Sequence, residues 1–169
     1  MLFRSISLGE CLNFAVAKSK YCIISKFDDD DYYGPNYLVD LVNAFKYTEA
    51  SIVGKYSVYF NLEEHDSLVL RFPSHENRYI KYVSGSTLTF KKEIFKDVKF
   101  KDINRSEDTS FINESISKGY KVYSTDRFNH IINRRKNLST HTWKITEDEI
   151  LKSSSIIKGV DDYKDFTSI

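Results

Sequence analysis

One segment organises the rest of this sequence: Tyr21-Cys22-Ile23-Ile24-Ser25-Lys26-Phe27-Asp28-Asp29-Asp30-Asp31, closed by the turn Gly34-Pro35. A short apolar run ends in four consecutive carboxylates, and α/β proteins bind their ligands where buried strands end. Adjacent carboxylates repel one another unless a cation neutralises them, and their oxygens suit hard ions such as Mg²⁺, Mn²⁺ or Ca²⁺. The segment therefore predicts a divalent-metal site at the end of a strand, with a solvated acidic turn as the alternative.

The composition indicates one globular domain. The chain has 169 residues, of which 41% are hydrophobic, enough to bury one substantial core. Its 25 Lys and Arg against 24 Asp and Glu give a net charge of +1, which offers no broad field for nucleic acid or an anionic membrane. Cys11 and Cys22 lie among apolar residues, as expected of buried thiols in a reducing compartment, and no apolar run is long enough to span a membrane. We therefore expect a cytoplasmic protein without a transmembrane segment.

Residue periodicity predicts alternating helices and strands. A helix is expected over residues 7–18, a buried strand over 21–27 and a second helix after Pro35. Further predictions are strands at 51–60, 68–72, 87–90 and 121–124, and helices at 92–97, 108–118 and 146–151, with Gly119 ending the helix before it. We expect an α/β domain over residues 1–152, with a mixed sheet flanked by helices, and a loosely attached polar tail over 153–169.

Two motifs resemble those of the family 2 glycosyltransferases, which have the GT-A fold. The first helix carries Gly9, Asn13 and Ala17, and the strand after it ends in Asp-x-Asp-Asp with a proline four residues later, a register that residues 28–31 and Pro35 match. The second motif is a glycine-containing segment before a strand, here 84–90, followed by an acidic pair that opens a helix, here Glu107 and Asp108. The resemblance covers roughly residues 7–143.

One part of the family pattern has no counterpart in this sequence. Family members begin with a strand, helix, strand unit that holds the nucleotide base and ribose, and nothing before Ser7 matches it. The resemblance thus implies a GT-A-like, partially Rossmann-like fold that is N-terminally truncated. We expect the remaining sheet to expose an edge that a second copy of the chain or a partner chain covers.

The resemblance also implies an activity. It is the metal-dependent, inverting transfer of a sugar from a nucleotide-sugar donor, UDP-linked by family frequency, to the hydroxyl of a glycan or other acceptor, in polysaccharide or surface-glycan synthesis. Asp28 and Asp30 would hold Mg²⁺ or Mn²⁺ against the donor diphosphate. Asp108 would be the general base, kept ionised by the helix N-terminus, with Glu107 as the alternative.

Further site residues follow from the same resemblance. The basic segment 133–143 is similar to a mobile loop of the family, so Arg134 and Arg135 are candidate contacts of the donor diphosphate and His141 a candidate third metal ligand. Asp29 is assigned to the donor side. Residues assigned to the acceptor are Gly85, Glu107 and Trp143. The aromatic residues Tyr56, Tyr59 and Phe60 are assigned to sheet packing alone.

Two other interpretations remain open. Asp29, Asp31, Gly34 and Asp40 occupy the first, third, sixth and twelfth positions of a calcium-binding EF-hand loop, although a strand-like run precedes them where a helix is required. The chain could instead be a non-catalytic remnant or interaction subunit of a split glycosyltransferase.

Overall fold

The computed structural model describes residues 6–137 and 143–169. Within these ranges the chain is an α/β fold with two mixed sheets and flanking helices. The helices are α1 (Leu8–Lys18), α2 (Tyr37–Tyr47), α3 (Glu107–Ser117), α4 (Glu147–Leu151) and α5 (Tyr163–Thr167), with 3-10 turns at Gly85–Thr87 and Lys92–Lys96. The strands are β1 (Ile23–Ser25), β2 (Tyr32–Tyr33), β3 (Ile52–Gly54), β4 (Val58–Leu62), β5 (Ser67–Arg71), β6 (Arg78–Ile80), β7 (Thr89–Lys91), β8 (Val122–Ser124), β9 (His130–Arg134) and β10 (Ser154–Ile157).

The first sheet has the strand order β1-β7-β3-β8-β6 and carries helices on both faces. Strands β3 and β8 are parallel, whereas the other neighbours are antiparallel. Ile52 packs with Val16 of α1 and Phe111 of α3, while the next residue, Val53, packs with Leu41 of α2. Successive side chains of a strand point to opposite faces, so each of these apolar residues is buried against a different helix layer.

The second sheet has the order β10-β5-β4-β9-β2, and the chain enters it directly from the first. The single strand expected over 51–60 is wrong, because the segment divides into β3 of one sheet and β4 of the other. At the division lies Lys55, fully buried, whose Nζ donates to the backbone oxygen of Asp126 at 2.9 Å and to its carboxylate at 3.1 Å. Asp126 follows β8 where that strand also leaves the first sheet. The ion pair therefore joins the two crossing points.

The C-terminal segment is not a loosely attached tail. Strand β10 pairs with β5 over four residues, and the backbone N–H of Asn129 donates to the carbonyl of Thr167 at 2.7 Å. Thr167 is fully buried. The polar composition of 153–169 gave no sign of this attachment, because it depends on backbone hydrogen bonds to an edge strand that lies about 80 residues earlier in the chain.

Several local predictions are confirmed. Helix α1 begins after Ser7, whose hydroxyl accepts from the N–H of Glu10 at 3.1 Å, and Gly119 follows α3 with φ of +90°. The strand before the acidic loop excludes the EF-hand alternative, which requires a helix there. The expectation of two buried thiols is wrong, since Cys22 is exposed. In the described part of the chain, no helix has the length and apolar character needed to cross a bilayer.

Candidate functional site

A cleft of about 620 Å³ opens beside the end of β1. This volume falls in the range of small-molecule sites. Its lining includes the acidic loop 28–31, the 3-10 turn that begins at Gly85, the segment 104–109 at the start of α3, and residues of β4, β5 and β9. The two motifs singled out in the sequence thus meet in one cavity, although they are about 80 residues apart.

The acidic loop is held by Tyr33. Its hydroxyl accepts from the backbone N–H of Asp28 at 2.8 Å and donates to the carbonyl of Ser86 at 3.0 Å, which ties the loop to the 3-10 turn. The carboxylate of Asp28 forms an ion pair with Lys26, and its side chain remains partly exposed. The loop therefore presents carboxylates to the cleft from a fixed backbone.

Asp31 connects the acidic loop to strand β9 of the second sheet. Its carboxylate accepts from the backbone N–H of Asn133 in β9 at 3.2 Å, and only 5% of its side chain is exposed. It does not cap α2, whose N-cap residue Asn36 makes no side-chain capping bond. Burial, reinforced by the negative charge of Asp28, raises the pKa of Asp31 to about 7. The loop consequently carries less negative charge at neutral pH than four free carboxylates would.

His130 is hydrogen-bonded to residues beside the acidic loop. It is fully buried, and burial lowers its pKa to about 3, so the ring is uncharged at neutral pH. Nδ1 lies 3.0 Å from the carbonyl oxygen of Tyr32, which can only accept, so Nδ1 carries the proton and Nε2 accepts from the hydroxyl of Ser86 at 3.0 Å. The 3.8 Å separation from Asp31 is therefore not an ion pair at neutral pH. No spacing in the sequence links these residues, because the partners lie 44 and 98 positions away.

Helix α3 presents Asp108 to the cleft. One carboxylate oxygen, Oδ1, accepts from the backbone N–H of Thr109 at 2.6 Å and from its hydroxyl at 3.3 Å. The other, Oδ2, lies against the backbone of Gly85, where an added Cβ would stand 1.7 Å from it. Gly85 is thus required because its missing side chain makes the space that Asp108 occupies.

The pKa of Glu107 is affected by acidic residues of both motifs. The residue is 5% exposed, and burial raises the pKa of its carboxyl, with smaller contributions of the same sign from Asp108 and Asp28. Lys26 acts in the opposite direction. Glu107 and Asp28 both line the cleft.

The glycine and asparagine of α1 position the segment that leads into α3. A Cβ on Gly9 would lie 1.8 Å from the carbonyl oxygen of Lys101, and its N–H donates to Ile103 at 3.2 Å. The amide of Asn13 donates to the carbonyl of Phe100 at 2.8 Å and accepts from its N–H at 3.0 Å. These contacts hold residues 100–104 on α1, so that the following residues line the cleft.

Aromatic and basic side chains line the far part of the cleft. Tyr56 and Phe60 are in this wall, so the prediction that they serve sheet packing alone is wrong for both. Tyr59 lies in the core beneath the second sheet. The sequence offered no signal for Tyr56, because its position depends on the passage of the chain between the two sheets. The remaining members of the wall are Arg71, Phe72, Tyr82, Arg134 and Trp143.

The structure brings most of the predicted site residues together. Arg135 is exposed and is not part of the lining, and His141 lies outside the described residues. Within residues 6–137 and 143–169, no three Asp, Glu, His or Cys side chains form a group that could hold a metal ion. The predicted site residues that line the cleft are Asp28, Asp29, Asp30, Gly85, Glu107, Asp108, Arg134 and Trp143.

Comparison with known proteins found no family model and no curated protein that matches this chain. The functional argument therefore depends on the geometry and chemistry of the cleft.

Proposed function

We propose that this chain is a metal-dependent group transferase with a GT-A-like fold. Its particular reaction is the inverting transfer of a sugar from a nucleotide-sugar, UDP-linked, to a hydroxyl of a glycan or other acceptor. One observation carries the proposal: the acidic loop with Asp28 and Asp30 and the helix N-terminus with Asp108 line one cleft. Such a reaction needs stabilisation of a leaving diphosphate and a base for the acceptor, and the cleft contains carboxylates suited to each task.

The carboxylates of the acidic loop are suited to a divalent cation. Asp28 and Asp30 supply hard oxygen ligands, and their negative charges raise the pKa of the neighbouring Asp31. This mutual repulsion is relieved when a cation is present. Mg²⁺ or Mn²⁺ held there would neutralise charge on the leaving diphosphate. Two protein ligands and several waters are a usual arrangement for Mg²⁺ in phosphate sites.

Asp108 is placed to act as the base. Oδ1 is engaged by Thr109, which orients the carboxylate, and Oδ2 at Gly85 is the oxygen that would take the proton of the acceptor hydroxyl. Asp108 lies in the first turn of α3. Glu107, buried beside it, is assigned to orienting the acceptor.

Arg134 supplies positive charge near the acidic loop. It is 3% exposed, lines the cleft, and carries the charge on which Asp30 acts. A guanidinium donates two parallel hydrogen bonds to a phosphate, so Arg134 is assigned to the donor diphosphate. Arg135, at the exposed end of β9, remains an assignment to the outer part of the donor.

The test measures binding and turnover separately. UDP is titrated into the protein by calorimetry with and without Mn²⁺, using wild type, Asp30→Ala and the matched control Asp161→Ala, an exposed carboxylate outside the cleft. We expect Mn²⁺-dependent binding that Asp30→Ala weakens at least about tenfold and the control leaves unchanged. Binding of equal strength without Mn²⁺ would contradict the assignment of the acidic loop.

Turnover tests the assignment of Asp108. Release of UDP from UDP-sugars is followed for wild type and Asp108→Asn. The variant is expected to bind UDP normally and to lose at least about a hundredfold in rate, because an amide cannot accept the proton. Unchanged turnover would exclude Asp108 as the base.

A second candidate function is favoured by one feature of the first sheet. Strand β1 is at the end of the strand order, and Tyr21 just before it is 80% exposed. An unpaired strand edge with exposed aromatic residues suits pairing with another strand. The chain would then act as a non-catalytic interaction subunit that a second copy or a partner chain completes. Sedimentation of wild type and Ile23→Pro tests it, since the N–H of Ile23 faces the open edge of β1 and proline there should abolish such self-pairing.

A further inference from the structure

Arg71, the last residue of β5, forms an unusual cationic centre in the aromatic part of the cleft. The carbon at the centre of its guanidinium lies 4.6 Å from the ring of Phe72, 5.2 Å from that of Trp143 and 5.7 Å from that of Phe60. Its Nε donates to the hydroxyl of Ser153 at 3.1 Å. The rings and this hydrogen bond fix the plane of the guanidinium, and its two terminal nitrogens make no hydrogen bond to residues 6–137 or 143–169.

No carboxylate neutralises this cation. The ionisable groups whose charges act on Arg71, in the part of the chain that the structure describes, are the phenols Tyr56 and Tyr82. All Asp and Glu residues of the chain lie in the described ranges. Lys55, by contrast, is a buried cation that pairs with Asp126. A guanidinium that is partly desolvated, held in one plane and unpaired is prepared for an anionic ligand.

A second guanidinium borders the same ring. The centre of the Arg134 guanidinium lies 5.9 Å from Trp143, and its buried Nε has no hydrogen-bond partner among the described residues. This end of the cleft therefore contains two guanidiniums, and the charges of Glu147 and Asp30 act on Arg134 but not on Arg71.

Tyr82 lines the cleft together with Arg71 and Asp108. The phenol of Tyr82 is largely buried, and burial raises its pKa to about 12, with Asp108 acting in the same direction and Arg71 in the opposite one. One hydroxyl is thus within electrostatic range of both the carboxylate of Asp108 and the guanidinium of Arg71. Tyr56, 5.7 Å from Tyr82, continues the aromatic wall.

We propose that Arg71, stacked among Phe60, Phe72 and Trp143, binds an anionic group of the acceptor, a carboxylate or a phosphate on a sugar. This inference rests on the proposed function, because it names the class of acceptor for the same cleft. The aromatic rings contact the apolar face of the sugar, and the two terminal nitrogens of Arg71 donate to the anion. The residue accordingly determines which hydroxyl reaches Asp108.

The experiment uses three small sugars that differ in charge: methyl glucoside, methyl glucuronoside and glucose 6-phosphate. Each is titrated into the ¹⁵N-labelled protein, and the affinity is read from NMR shifts that include the side-chain Nε–H resonance of Arg71. We expect an anionic sugar to bind at least about tenfold more tightly than methyl glucoside. Tighter binding of methyl glucuronoside identifies the group as a carboxylate, and tighter binding of glucose 6-phosphate identifies it as a phosphate.

Variants separate this site from the donor site. Arg71→Gln should remove the preference for anionic sugars and leave the binding of UDP with Mn²⁺ unchanged. Arg71→Lys keeps the charge without the planar stacking and should retain part of the preference. The matched control Arg78→Gln, at an exposed position of β6, should change neither.

Two results would overturn the inference: equal binding of the neutral and anionic sugars by wild type, or a loss of UDP binding in Arg71→Gln as large as the loss of sugar binding. The proposed function fails separately, if wild type does not bind UDP with Mn²⁺. Even then, the anion site of Arg71 is supported if wild type still prefers anionic sugars and Arg71→Gln loses that preference.

Discussion

Substitution of Gly85 by alanine tests whether the geometry of the candidate base is as the structure has it. The added Cβ would lie 1.7 Å from Oδ2 of Asp108 and 2.8 Å from its Cγ, whereas contacts under 3.0 Å are essentially never found. Oδ2 must therefore move by at least about 1.3 Å, the difference between 3.0 Å and 1.7 Å. Gly85 does not have a positive φ, so the substitution adds crowding without backbone strain.

The expected cost follows from the contacts that must change. A rotation of the Asp108 side chain breaks its 2.6 Å bond from the N–H of Thr109, worth about 1 kcal/mol, and an off-rotamer side chain costs about 0.5–1.5 kcal/mol. Gly85→Ala should thus lower the free energy of unfolding by about 1.5–2.5 kcal/mol, which corresponds to about 3–10 °C in Tm for a chain of this size. If the proposed reaction is correct, a displacement of this size also lowers the rate about a hundredfold.

A double-mutant cycle makes the test independent of any substrate. Urea denaturation gives the cost of Gly85→Ala in three backgrounds: wild type, Asp108→Asn and Asp108→Ala. The cost should persist with Asn, which has the same shape, and nearly vanish with Ala, whose Cβ would be 3.3 Å away. An equal cost in wild type and Asp108→Ala would refute the reasoning, because the carboxylate would then not be the group that Gly85 accommodates.

Two further predictions concern the surroundings of the cleft. Asn13→Ala removes both hydrogen bonds to the backbone of Phe100 and should lower the free energy of unfolding, measured by urea denaturation, by about 2 kcal/mol. Amide hydrogen exchange should become faster over residues 100–105. Unchanged exchange there would contradict the role of α1 in positioning this segment. Burial raises the pKa of Asp31 to about 7 in the folded state from an ordinary value of 3.8, so the folded state holds this proton more tightly and its contribution to stability falls as the pH rises from about 4 to 7. In EDTA, Asp31→Asn should remove that part of the decline, and identical pH profiles for both proteins would show that Asp31 is not protonated in the folded state.

Local sequence patterns were sufficient where the determining contacts are close along the chain. The spacing of apolar residues predicted α1, β1, α2 and α3, because each element buries one stripe or face against the core. The division of 51–60 into two strands could not be predicted from the sequence, since both halves have the same β-branched and aromatic character. The buried pair of Lys55 and Asp126 marks the division, and its partners are 71 positions apart. The candidate site shows the same limit: Arg71 and Tyr56 carried no motif.

The sequence by itself determined the α/β class, the position of the acidic loop after a strand, and the acidic pair that opens α3. These properties follow from periodicity, charge repulsion and helix-end chemistry, which act over a few residues. Only the tertiary structure decided that Gly85 makes room for Asp108, that Asp31 bonds to β9, and that a cationic aromatic wall faces the acidic loop. Each of these depends on the packing of elements far apart in sequence, where burial and the charges of distant neighbours set the chemistry of a side chain.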